Sequence, residues 1–67
     1  MNNVLIQVEY EKRGYRKGAS AKLKLNGTNV VIVSNPKIEE GTPYVWVAME
    51  LDTYVRYKAK IDNLELL

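Results

Sequence analysis

From Tyr44 to Ile61 the chain reads YVWVAMELDTYVRYKAKI, with apolar positions alternating with polar or aromatic ones on both sides of Asp52. Successive side chains of a strand point to opposite faces. Val45, Val47, Met49 and Leu51 therefore form one apolar row, and Val55, Tyr57, Ala59 and Ile61 form a second. A three-residue connection over residues 52–54 sets Leu51 opposite Val55, Met49 opposite Tyr57, Val47 opposite Ala59 and Val45 opposite Ile61, so that both rows share one face. A two-residue connection would set Arg56, Lys58 and Lys60 beside the apolar row instead. Unpaired charge is costly to bury, so the odd-length loop, or an equivalent bulge, is the favoured reading. The opposite face then carries Tyr44, Trp46, Ala48 and Glu50 beside Tyr54, Arg56, Lys58 and Lys60.

The rest of the chain reads as strands and loops that cover the apolar rows. Val4, Ile6, Val8 and Tyr10 alternate with Leu5, Gln7, Glu9 and Glu11, which predicts a first strand ending near Glu11 or Lys12. Residues 12–19, KRGYRKGA, hold two glycines and four cations without an apolar period and predict a loop. Ala21, Leu23 and Leu25 alternate with Lys22, Lys24 and Asn26 in a second strand. Asn26-Gly27 then predicts a two-residue hairpin, because both residues tolerate the positive φ of a type I′ turn. That turn places Leu25 opposite Thr28, Leu23 opposite Val30 and Ala21 opposite Ile32. Val31 and Val33 are left as an apolar strip on the other face. Residues 35–43, NPKIEEGTP, predict a loop with room for one helical turn around Lys37 to Glu40. Asp62 and Asn63 offer a turn into a short closing strand over residues 64–67, and no stretch shows a sustained helical period.

Five or six short strands in 67 residues predict one all-β domain spanning residues 1–67, a small, partly open barrel that hides its edges by curling. A long first loop, a tight turn, a central hairpin and a final Leu64-Glu65-Leu66 strand give a layout that resembles an SH3-like barrel. An oligonucleotide-binding barrel is the alternative fold. At this length only roughly 60% of the unfolded surface can be buried, so the core is small.

Composition narrows the chemistry. The chain has no cysteine and no histidine, which removes disulfides, thiolate or imidazole metal sites and the usual nucleophile–base pairs; Ser20 and Ser34 are its serines. Glu39 and Glu40 read as adjacent solvated acids, and Gly14 to Gly18 lacks the ending of a phosphate loop. We expect no enzymatic activity, cofactor or metal. The first residues lack a basic leader and no apolar run approaches the ~18 residues of a membrane helix, so a soluble cytoplasmic protein without membrane contact is expected.

Net charge is only +2, but its distribution is uneven: nine of the ten basic residues lie in residues 12–24 and 54–60, with Tyr15, Tyr54 and Tyr57 interleaved. Cations release counterions from phosphates, and flat rings stack on bases. The first functional expectation is therefore a nucleic-acid-binding module of low sequence specificity, using Arg13, Arg16, Lys17, Lys22, Lys24, Arg56, Lys58 and Lys60 with Trp46 and Tyr54 stacking. Lysines on outward strand faces also serve as solubility devices and edge guards. The alternative is a protein-interaction or assembly module: an adaptor, a ring subunit or a small inhibitor. In it Tyr44, Trp46, Tyr54, Val31 and Val33 meet a partner, and the cations steer an acidic one. Self-association into a homo-oligomer through an exposed edge strand is compatible with both. Trp46 faces outward in the favoured register and inward in the other. Tyr15 is expected to be exposed, and Tyr10 and Tyr57 to be in the core.

Overall fold

The computed structural model describes residues 3–67. It contains helix α1 (Asn3–Lys12) and strands β1 (Ser20–Leu23), β2 (Asn29–Ile32), β3 (Lys37–Glu39), β4 (Thr42–Met49), β5 (Asp52–Lys60) and β6 (Leu64–Leu66), with a 3-10 turn at Ile61–Asn63 before β6. All pairings are antiparallel, in the order β3-β4-β2-β1-β6 with β5 on the other edge of β4. The result is a curled half-barrel, as the alternation of apolar positions predicts. Its organising strand is β4, whose first half pairs with β3, second half with β2, and opposite edge with β5 from Tyr44 to Met49.

The concave side holds the core: Ala21, Val30, Ile32, Val45, Val47 and Leu64 are buried on their strands, Val30/Ile32 and Val45/Val47 at alternate positions, and Ile61 is buried in the 3-10 turn. Burying each Val, Ile or Leu stabilises the fold by about 1.5–3 kcal/mol.

The first predicted strand is instead α1. Ile6, Gln7, Tyr10 and Glu11 form its half-buried stripe, whereas Val4, Leu5 and Val8 are exposed. Ile6 and Tyr10 are four apart, a spacing that satisfies both a two-residue and a 3.6-residue period, and docking of Tyr10 on the core decides for the helix. The end of the helix is built by Gly14 at φ 107°: the Gly14 N–H donates to the Glu11 carbonyl at 3.0 Å and the Tyr15 N–H to the Tyr10 carbonyl at 3.1 Å, the Schellman pattern. The helix lies against β3, and Gly14 at its far end approaches Leu66 of β6. It thus bridges the two ends of the strand order and closes one mouth of the curl. Tyr15, expected to be exposed, packs on the core beside Tyr10.

Two hairpin registers move by two residues, which preserves every face. In the first, Ala21 pairs with Val30 rather than Ile32. Asn26 Oδ1 accepts from the Thr28 N–H and the Gly27 N–H donates to the Leu23 carbonyl, so residues 24–27 form a wider turn in which only Gly27 has positive φ. Leu25, expected to point inward, is 94% exposed at that turn. The two-residue turn with positive φ at both positions occurs at Glu40 and Gly41 instead, folding back β3 where the sequence predicted loop or helix.

In the second hairpin, Ala48 pairs with Arg56 while Met49 pairs with Asp52. One step along β4 therefore spans four along β5, and Thr53, Tyr54 and Val55 form a bulge held by the Tyr54 N–H donating to Asp52 Oδ1. The expected bulge is present, but it lies beyond a tight turn at Glu50 and Leu51. Leu51 consequently stands fully exposed at the tip rather than in the apolar row, and Tyr57 and Val55 are about half exposed rather than core.

Candidate binding surfaces

The convex face takes its order from β4. Outward from Tyr44, Trp46 and Ala48 lie Lys60, Lys58 and Arg56 of β5 on one side. Val31 of β2 is opposite Ala48 on the other side, the Val33 N–H donates to the Trp46 carbonyl, and Ser20 of β1 pairs with Val31. The Trp46 N–H is held by Ser34 Oγ at 2.9 Å, and the indole is 38% exposed. Val31, Val33 and Tyr44 are half-buried and Ala48 is buried, so the expected apolar strip is present but mostly covered.

Several predicted cations are already engaged. Lys58 Nζ donates to both carboxylate oxygens of Glu39, at 2.8 and 2.9 Å, and sits 4.2 Å from the Tyr44 ring centroid. Hydrogen bonding to Lys58 holds the Glu39 carboxyl below its ordinary range, and the same bond holds the Lys58 ammonium above the ordinary lysine value. Arg13 stacks on Tyr10 and Tyr15, with its guanidinium carbon 5.1 and 5.9 Å from the ring centroids. Lys22 stands opposite Glu65 of β6. Arg16 and Lys17 are exposed in the turn after α1, where the Lys17 N–H is anchored on Asn35 Oδ1. Of the expected row, Arg56 and Lys60 project at the edge beside Ala48 and Tyr44.

A second surface lies on the concave side, at the mouth that α1 does not close. Leu23, Val30, Val47, Met49, Tyr57 and Ala59 line an open groove of about 870 Å³, together with Lys24, Lys58, Lys60 and Asn63. The groove runs into the projecting β4–β5 hairpin, where Leu51, Tyr54, Val55 and Tyr57 are exposed. Tyr54, at 97% exposure, is the one residue of the predicted stacking set that stands wholly free of the sheet. Sequence reasoning missed Glu39 as the partner of Lys58, and it missed the groove, because alternation assigns faces but does not say where a curled sheet fails to close.

No family model, curated protein or solved structure matches this chain. No helix among the described residues is long and apolar enough to cross a membrane.

Proposed function

We propose that this chain is a non-catalytic protein-interaction module whose contact surface is the β4–β5 hairpin and the apolar groove beside it. The observation that carries this reading is the clustering of exposed apolar and aromatic residues on one projection: Leu51, Tyr54, Val55 and Tyr57 in seven consecutive residues of one hairpin. Scattered exposed apolar side chains are ordinary, whereas a contiguous set marks a surface that is covered in use. Tyrosine supplies large contact area at low conformational cost, and the lysines lining the groove favour an acidic partner. The double variant Tyr54→Ser/Val55→Ser is expected to keep the wild-type unfolding midpoint and to lose the partner that the wild type retains in affinity capture. Equal recovery by both forms would remove the hairpin from the interface.

The convex face supports a second reading, in which Trp46 and Tyr44 between Arg56, Lys60 and the Arg16–Lys17 turn contact a nucleic-acid strand. It is the weaker one, since Lys58 is neutralised by Glu39 and Arg13 is stacked within the fold. Titration with random single- and double-stranded DNA and RNA at two salt concentrations tests it. Each phosphate contact adds about 0.7–0.9 to the slope of log affinity on log salt, and a slope near zero would remove this reading.

A further inference from the structure

We propose that the groove of one copy receives the hairpin tip of another, so that the chain assembles head to tail with itself. The inference rests on the hairpin being an interaction surface and names the partner as a second copy of this chain.

Complementary chemistry within one molecule carries the argument. At the tip, Leu51 is fully exposed and is flanked by the exposed acids Glu50 and Asp52. In the groove, the half-buried Leu23, Met49 and Ala59 leave apolar surface open above the buried Val30 and Val47, and Lys24, Lys58 and Lys60 also line it. An acid–leucine–acid tip matches an apolar groove lined with lysines in both shape class and sign. Leu51 covers the apolar surface while Glu50 and Asp52 face Lys60 and Lys24. Tip and groove are different patches, so the contact is heterologous and repeats from copy to copy into a ring or a filament.

The competing symmetric arrangement is disfavoured by the cations along β5. Strand β5 pairs only with β4 among the described strands, which leaves its other edge open for antiparallel pairing with a second β5. Paired residues of antiparallel strands share a face, so registers centred on residues 56–60 set members of the Arg56, Lys58 and Lys60 row against one another. Like charges directly opposite are destabilising, and lysine rows of this kind guard an edge. The acids at the tip meet no such repulsion in the groove.

Sedimentation velocity over a wide concentration series tests the proposal. The wild type is expected to gain mass with concentration beyond a dimer. Leu51→Asp, a change at a fully exposed position, should keep the circular dichroism melt and weaken association by about tenfold or more. Glu50→Lys and Lys60→Glu should each weaken association, and the chain carrying both should recover it, since the two reversals restore opposite signs across the contact. A wild type that stays monomeric throughout, or association unchanged by Leu51→Asp, overturns the proposal. A monomer whose wild-type hairpin still captures a different protein, with Tyr54→Ser/Val55→Ser losing it, refutes self-assembly alone. A monomer that captures nothing refutes the interaction surface as well.

Discussion

Tyr10 and Tyr15 meet edge to face, with ring centroids 6.1 Å apart and planes at 76°, across the glycine that ends α1. The contact joins the last turn of the helix to the residue just beyond its cap, and Arg13 lies over both rings. It fixes the helix as a lid on one mouth of the half-barrel, which leaves the opposite mouth as the open groove.

Gly14→Ala should therefore destabilise the fold. The position has φ 107°, and an added Cβ would lie 3.0 Å from Leu66 Cδ1. A loss of about 1–2 kcal/mol in urea denaturation is expected, since the strain of a left-handed alanine exceeds its gain from a less flexible unfolded chain. No loss would mean that the helix is not anchored by this cap.

Trp46 and Ile32 separate the two faces. Ile32 is wholly buried, so Ile32→Ala should cost about 2–5 kcal/mol, whereas Trp46→Ala at a partly exposed site should fall below the ~3–5 kcal/mol of a core tryptophan. Chemical denaturation of both variants checks the order. A larger loss at Trp46 would place the indole inside.

The Glu39–Lys58 pair gives a pH dependence of defined sign. The Glu39 carboxyl is lowered in the folded state, so its contribution is present above the unfolded carboxylate pKa and is lost as pH falls through the folded one. The Lys58 ammonium is raised, so its contribution is present below the unfolded lysine pKa and is lost as pH rises through the folded one. Both groups are exposed, and Glu39→Gln should change stability little while flattening the acid-side slope of the unfolding midpoint. The same variant frees Lys58. If the convex face binds nucleic acid, Glu39→Gln should tighten that binding and steepen its salt response, and an unchanged titration would argue against the face.

The all-β architecture was legible because alternation survives errors of register. Moving a pairing by two residues changed the partners of Val47 and Ala21 but not the side of the sheet they face. What alternation could not settle was local. Ile6 and Tyr10 fit both periods, and the helix was legible only in the Gly14-Tyr15 terminus that follows Tyr10. Whether Thr53, Tyr54 and Val55 form a turn or a bulge past the turn depends on the Asp52 side chain bonding the Tyr54 amide, and that shift moved Leu51 out to the tip. The pairing of Lys58 with Glu39 needed β3 beside β4, inside a segment whose prolines and glycine read as loop.

The most direct test of the hairpin as the contact surface is site-specific photo-crosslinking in cells, with a photoreactive residue replacing Tyr54 in one strain and Lys17 in another. The account predicts a discrete protein adduct at Tyr54, and its loss when Leu51→Asp is added if the adduct is a second copy. Nucleic-acid adducts at Lys17 with no protein adduct at Tyr54 would contradict it.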